Sequence, residues 1–100
     1  MIDFKALVGT SVQVEFTVEK IVVSGHSGDE MILVNDVYVN GEFFRDHSWI
    51  KMTKRLSVVS AGDKVSSTAI LMDYFDTNTN KKYKVGFRSF RNVKICNKNL

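Results

Sequence analysis

The sequence has few of the side chains that bind metals or form disulfides. It holds one cysteine, Cys96, and two histidines, His26 and His47, among 100 residues. A single cysteine excludes an intramolecular disulfide and fits a reducing compartment. Because these three side chains are far apart in sequence, we expect neither a structural zinc site nor another cofactor.

Long apolar runs are lacking as well. No stretch approaches the roughly 20 apolar residues of a membrane-spanning helix. The segment Met1 to Lys5 lacks the basic and then apolar order of a signal peptide. We therefore expect a cytoplasmic protein with no membrane association. A chain of 100 residues with 44% hydrophobic residues can build one core but not two, so we expect a single domain over residues 1–100.

The motifs that catalysis requires are missing too. Gly25 and Gly28 are not followed by the Gly-Lys-Ser/Thr of a phosphate-binding loop. The run Asp46-His47-Ser48 contains the residue types of a catalytic triad, but consecutive strand residues point to opposite faces. His47 could not meet both neighbours at one site, so we expect no enzymatic activity.

Acidic residues are absent from the last twenty positions, and this absence is the strongest functional indication. Residues 81–100 carry seven basic and no acidic residues, a net charge of +7, while the other eighty carry seven basic and eleven acidic residues, a net charge of −4. An asymmetry of this size in a small domain favours an anionic partner more strongly than the overall charge of +3 does.

Alternation of apolar and polar residues predicts the first strand. It begins at Ser11 and continues to Val18 with the apolar side chains on one face. The apolar residues then change parity at Ile21 and Val23. We therefore expect a bulge or bend near Glu19-Lys20.

A β-hairpin is predicted next. Met31 to Val39 and Glu42 to Met52 flank Asn40-Gly41, and Asn-Gly between two such runs is the strongest short-range hairpin pattern. A two-residue turn pairs the flanking residues Val39 and Glu42. On one face this register predicts the following pairs: Tyr38 with Phe43, Asp36 with Arg45, Val34 with His47, Ile32 with Trp49, and Glu30 with Lys51.

Two of those pairs join opposite charges, which supports the register. Large aromatic side chains dominate core energetics. With Ile32 opposite it, Trp49 is therefore expected in the core rather than on a ligand platform. Tyr38 and Phe43 lie at the turn end of the hairpin, and burial and exposure are equally expected for them.

The last third of the chain predicts two long strands, Lys64 to Phe75 and Lys82 to Ile95, around the polar turn Asp76 to Asn80. On the second strand one parity is mainly apolar and predicted to face the core: Tyr83, Val85, Phe87, Val93 and Ile95. The other parity is predicted to face outward: Lys82, Lys84, Arg88, Phe90 and Lys94. Arg91 falls on the core parity, so we expect a break or bulge within Ser89 to Asn92.

Two short segments are not strands. Asp3 can cap a helical turn over Phe4 to Val8, which Gly9 would end. Thr53 to Ala61 breaks the alternation and allows only a short helix or an irregular connector before Gly62-Asp63 turns the chain.

The predicted order is a short helical turn, three strands, a short connector and two strands. This order is typical of the OB-fold, a five-stranded Greek-key β-barrel, so we expect an all-β OB-fold-like domain. An SH3-like barrel is the structural alternative. It is less favoured because its connector falls between the last two strands.

Asp29 to Ile95 also resembles small, mostly uncharacterised OB-fold-like proteins of bacteriophages and mobile elements. The residues that carry the resemblance are Asp46-His47-Ser48-Trp49, Gly62-Asp63-Lys64-Val65, Ala69, Tyr74 and Asn92-Val93. Ser67 departs from the pattern, which has an aromatic or aliphatic residue there. The resemblance implies the fold and a phage or plasmid context, hence the host cytoplasm, rather than an activity.

Basic residues interleaved with aromatics on a strand are suited to single-stranded nucleic acid, because the charges meet phosphates and the rings meet bases. We expect the ligand to lie over strands two, three and five, between the loops 26–30 and 76–81. The candidate binding residues are Tyr38, Phe43, Arg45, Lys82, Lys84, Arg88, Phe90 and Lys94. An exposed Phe90 beside Arg88 is the most specific feature, whereas the lysines could simply solvate an edge strand.

The alternative function is a phage protein that inhibits or adapts a host protein complex, for example in anti-defence. The same basic and aromatic surface would then be a protein interface, where Arg, Tyr and Trp are enriched at hot spots.

Overall fold

Strand β1, Ser11–Val23, has neighbours on both sides and holds the sheet together. The computed structural model describes residues 3–23, 25, 28–76 and 82–96, with the backbone alone at 74–76 and 82–83. As predicted, alternate residues of β1 are buried: Val12, Val14, Phe16 and Val18. The expected irregularity is present between Val18 and Lys20, and a further one lies between Glu15 and Thr17.

Four more strands follow, and the predicted boundaries agree closely with them. They are β2, Glu30–Val39; β3, Glu42–Lys51; β4, Lys64–Asp76; and β5, Lys82–Ile95. The N-terminal turn is a short 3₁₀ helix, Phe4–Leu7, capped by the Asp3 carboxylate, which accepts a hydrogen bond from the Lys5 amide at 3.1 Å. The predictions for Ser24, His26, Ser27 and the turn at 77–81 lie outside the described residues.

All neighbouring strands are antiparallel and form one sheet in the order β3-β2-β1-β4-β5. The all-β prediction with five strands is therefore confirmed. No ladder of backbone hydrogen bonds joins β3 to β5 within the described ranges, so the sheet is open between its two edge strands. We call this opening the seam.

The β2–β3 hairpin begins in the predicted register and then departs from it. Tyr38 pairs with Phe43 as expected, but Phe44 is an extra residue, and Val37 pairs with Arg45. The predicted pairing of Ile32 with Trp49 is therefore wrong, because Trp49 lies opposite Leu33. Every pair further from the turn is displaced by one residue in the same way: Asn35 with His47, Val34 with Ser48, Ile32 with Ile50, and Met31 with Lys51.

The cause is visible in β2, which also changes parity. Ile32 and Val34 are buried before Asp36, and Val37 and Val39 are buried after it. Asp36 has a positive φ of 52°, a conformation that aspartate tolerates better than most residues. This irregularity directs all four apolar side chains into the core, whereas a regular strand would expose two of them.

β5 contains two bulges, both within the predicted segment. Ser89 and Phe90 lie opposite Ala69 alone, and Asn92 and Val93 lie opposite a single β4 residue. Ser89 and Asn92 have positive φ angles of 57° and 53°. The first bulge reverses the inward parity and the second restores it, so β5 turns the Phe90 side chain inward. The prediction that Ile95 belongs to the core is wrong, because it ends the strand and is 43% exposed.

The buried residue opposite the second bulge is Ser67. Its hydroxyl donates a hydrogen bond of 2.8 Å to the carbonyl oxygen of Arg91. A bulge leaves a residue of the strand unpaired, and a buried unpaired carbonyl is costly. Ser67 thus supplies the missing partner, which an aliphatic residue could not do.

The inner face of the sheet forms one hydrophobic cluster to which every strand contributes. The connector between β3 and β4 is irregular, as predicted, and adds the buried side chains of Leu56 and Val59. Among the described residues, no helix is long and apolar enough to cross a membrane.

Candidate nucleic-acid interface

Side chains bridge the seam where backbone pairing does not. Arg45 on β3 donates a hydrogen bond from Nη2 to the carbonyl oxygen of Val85 on β5, at 2.8 Å. The rings of Phe44 and Phe87 also meet across the seam, with centroids 5.3 Å apart. The two edge strands are therefore held in proximity, with room left between them.

Arg45 is fixed in position by its surroundings. Its guanidinium carbon lies 4.5 Å from the centroid of the Phe44 ring, and Nη1 is 3.5 Å from the Ser48 hydroxyl. A guanidinium carries five N–H donors, and two of them are used in hydrogen bonds to described residues. The side chain is half-buried, so these contacts hold the guanidinium in place at the seam.

An open cleft of about 370 Å³ lies at the seam. Its lining residues are Arg45, His47, Ser48, Trp49 and Lys84. We call it the seam cleft. A smaller cavity next to it shares Arg45, Ser48 and Trp49 and extends to Met72 and Gly86 on the outer side of β4 and β5.

Trp49 is the aromatic residue of the seam cleft, and 52% of its surface is exposed. The prediction that it belongs to the core is wrong. The extra residue at Phe44 puts Trp49 opposite the half-buried Leu33 instead of the fully buried Ile32. The sequence contained the relevant pattern, because the apolar pairs Ile32/Val34 and Val37/Val39 differ in parity across Asn35-Asp36.

Phe90 is the clearest correction among the predicted site residues. It was expected to face outward beside Arg88, but it is only 5% exposed. Its ring packs against Phe16 and Phe87, with centroids 6.4 and 6.0 Å away. The first bulge in β5 is the cause, since the extra residue turns Phe90 to the core and leaves Arg88 outside.

The remaining basic residues of the predicted site lie in two places, apart from Lys82. Arg45 and Lys84 line the seam cleft together. Arg88 and Lys94 are exposed on the outer face of β5, as predicted. Lys82 lies on β5, but its side chain is outside the described set.

Tyr38 and Phe43 form a separate exposed pair near the hairpin turn. Their rings meet edge to face with centroids 5.6 Å apart, and they are 39% and 50% exposed. Neither residue lines the seam cleft. The predicted site therefore divides into a seam cleft, an outer basic strand and an aromatic pair.

Two acidic side chains approach the outer part of β3. The Glu19 carboxylate is 3.9 Å from His47 Nε2, and the Asp29 carboxylate is 3.5 Å from Lys51 Nζ. All four side chains are substantially exposed, so each pair contributes at most about 1 kcal/mol. Arg45 and Lys84 are the arginine and the lysine among the residues that line the seam cleft.

The described residues contain no group of three or more His, Cys, Asp or Glu side chains that could hold a metal ion. His47 contacts Glu19, and Ser48 contacts Arg45. His47 and Ser48 are also part of the wall of the seam cleft. No protein-family model, curated protein or solved structure matches the chain in comparisons of sequence and fold.

Proposed function

We propose that this protein is a non-enzymatic nucleic-acid-binding module that prefers single strands and acts in a phage or plasmid context. The observation that carries the proposal is the exposure of Trp49 in the same cleft as Arg45 and Lys84. A large aromatic ring that is exposed to water offers a flat face on which another ring can stack. Two cations beside it favour a partner that is both aromatic and anionic.

A single-stranded nucleic acid meets both requirements. Stacking of one base on an aromatic side chain contributes about 1–3 kcal/mol, and cations contact the phosphates. Inside a duplex the faces of the bases are already stacked, so the indole would have to displace a neighbouring base. Single strands expose those faces without that cost.

The strand order supports an OB-fold-like architecture for the proposed module. A five-stranded barrel that is opened between its third and fifth strands has the order β3-β2-β1-β4-β5, which is the order of this sheet. The OB-fold is a partly open Greek-key barrel, and one of its strand faces binds oligonucleotides. The connector between β3 and β4 agrees with the same assignment.

Trp49 provides the test, because it is the only tryptophan in the chain. Titration with oligothymidylate at low salt should quench the intrinsic fluorescence, since a stacked base covers the indole. In anisotropy measurements with an end-labelled oligothymidylate, Trp49→Ala should weaken binding about 5- to 150-fold, which corresponds to about 1–3 kcal/mol. Phe43→Ala is the matched control, because Phe43 is equally exposed and lies outside the cleft.

Two results would contradict the proposal. One is an unchanged tryptophan spectrum at saturating oligonucleotide. The other is an equal loss of affinity in the Trp49→Ala and Phe43→Ala variants, which would mean that the indole has no special role.

A protein-binding function is the second candidate, and the exposed Tyr38–Phe43 pair favours it. Aromatic residues are enriched at interface hot spots, and this pair lies away from the seam cleft. Under this hypothesis the chain would inhibit or adapt a host protein complex. It predicts that Phe43→Ser abolishes capture of a specific protein from nuclease-treated lysate, whereas Trp49→Ala does not.

A further inference from the structure

Three cations lie in a row on the outer face of β5. Arg88, Arg91 and Lys94 are all exposed, and each lies directly opposite an outward-facing residue of β4. The partners are Ile70, Thr68 and Ser66, respectively. We call Arg88, Arg91 and Lys94 the basic row.

The two bulges produce the even spacing of this row. The three cations are three residues apart in sequence, so a regular strand would point Arg91 to the opposite face from Arg88 and Lys94. Each bulge removes one residue from the register, so the cations lie opposite every second residue of β4. Two residues of a strand span about 6.7 Å, so the spacing of the Cα atoms in the row is close to the distance between successive phosphates in an extended single strand.

In the described part of the chain, few acidic residues lie near the basic row. No Asp or Glu occurs between positions 82 and 96, and the three β4 partners are uncharged. Arg91 donates a hydrogen bond from Nη2 to the Ser11 hydroxyl at 2.5 Å, so its side chain extends over β4 towards β1. The nearest carboxylate in the register is Glu15, which lies across Ser66 at the Lys94 end.

The row is continuous with the seam cleft. Gly86 precedes Arg88 by one step of the register, opposite Met72, and both Gly86 and Met72 share a cavity with Trp49. The cavity therefore connects Trp49 to Gly86, which lies one register step from Arg88 and carries no side chain. Lys84 lies one step further along, opposite Tyr74.

We propose that the basic row is a phosphate track along which a single strand continues from the seam cleft, one phosphate to each cation. The inference rests on the proposed function and adds the path and length of the bound strand. One base stacks on Trp49, and the following phosphates contact Arg88, Arg91 and Lys94 in order. The bound length is then on the order of four nucleotides, at the lower end of the range for OB-folds.

The dependence of affinity on salt concentration tests whether the basic row contacts phosphates. For single strands, each phosphate contact contributes about 0.7 to the slope of log affinity against log salt concentration. The double variant Arg88→Gln/Arg91→Gln should therefore lower the slope by about 1.4, measured by anisotropy with a labelled oligothymidylate of about six nucleotides. The control Lys54→Gln/Arg55→Gln removes the same charge from exposed positions of the connector and should leave the slope nearly unchanged.

Oligonucleotide length gives a second measurement. Wild-type affinity should rise as the oligothymidylate lengthens from about two to about five nucleotides. In the double variant this rise should be much smaller, while Trp49 fluorescence is still quenched at saturation. Circular dichroism of each variant checks that the fold is retained.

The possible results distinguish binding along the phosphate track from binding in the seam cleft. If the double variant and its control have the same slope and the same length dependence, the track is wrong, although quenching of Trp49 would still support the cleft. If Trp49 is not quenched but the double variant alone loses affinity, the row binds phosphates without the cleft, and the single-strand preference that rests on Trp49 fails. If neither quenching nor salt-dependent binding occurs, both proposals fail, and a protein partner becomes the better explanation.

Discussion

Phe43 and Phe90 have the same type of side chain but lie in opposite environments. Phe43 is half exposed and touches Tyr38 edge to face, whereas Phe90 is 5% exposed and packs against two other rings. A buried phenylalanine contributes both the free energy of its transfer out of water and its contacts with close-packed neighbours. The two positions should therefore differ strongly in their effect on stability.

Substitution by alanine measures this difference. Phe90→Ala should lower the free energy of unfolding by about 3–5 kcal/mol, because the lost ring leaves a cavity in the core. Phe43→Ala should lower it by about 1–2 kcal/mol, because only half of the ring is buried and its edge-to-face contact with Tyr38 adds a modest further term. Urea denaturation of both variants checks the prediction, and equal losses would show that Phe90 is not a core residue.

At the scale of the element, β5 depends on two residues with left-handed backbone conformation. Asn92 is suited to this conformation because its short polar side chain hydrogen-bonds locally, whereas Ser89 is less suited. The second bulge also needs Ser67, whose hydroxyl satisfies the Arg91 carbonyl. Together these residues let one strand direct Phe90 to the core and Arg91 to the outside.

A substitution at Asn92 tests the second bulge. Asn92→Val should destabilise the protein by about 1–2 kcal/mol, because a β-branched residue is strained at positive φ. Asn92→Gly should be neutral or nearly so, because glycine adopts this conformation freely. Thermal or urea denaturation distinguishes the two variants, and a Val variant as stable as the Gly variant would contradict the bulge.

At the scale of the whole molecule, the sheet is joined along four interfaces and open at the fifth. Backbone ladders connect β3-β2-β1-β4-β5, while Arg45 and the Phe44–Phe87 contact cross the seam. An unpaired edge leaves backbone groups available to solvent or to a partner. The open seam is also where Trp49 is exposed, so this gap provides the candidate site.

Removal of the Arg45 bridge should loosen the seam without unfolding the sheet. Arg45→Met keeps much of the apolar stem but loses the charge-assisted hydrogen bond to Val85. It should reduce stability by about 1–2 kcal/mol, since the guanidinium is only half-buried. Hydrogen exchange should become faster in β3 and β5 and stay unchanged in β1, and a uniform increase over all strands would contradict a local role.

The sequence by itself determined the elements of this protein, because alternation, the Asn-Gly turn and the capping Asp3 are local signals. It also determined that β5 carries the positive charge and that a break lies within Ser89 to Asn92. The tertiary structure decided the faces where bulges interrupt β3 and β5, whereas alternation in the sequence already predicted the buried face of β1. One extra residue in a strand exchanges inside for outside, and which residue becomes extra depends on packing against neighbouring strands.

The candidate site shows why the positions of the bulges matter. A bulge at Phe44 exposes Trp49, one at Ser89 buries Phe90, and a second at Asn92 completes the row that contains Arg91. Arg45, Lys84, Arg88 and Lys94 were identifiable from charge and position, but their division between a cleft and an outer row was not. That division depends on how the sheet curves and where it stays open, which is decided by contacts between residues distant in sequence.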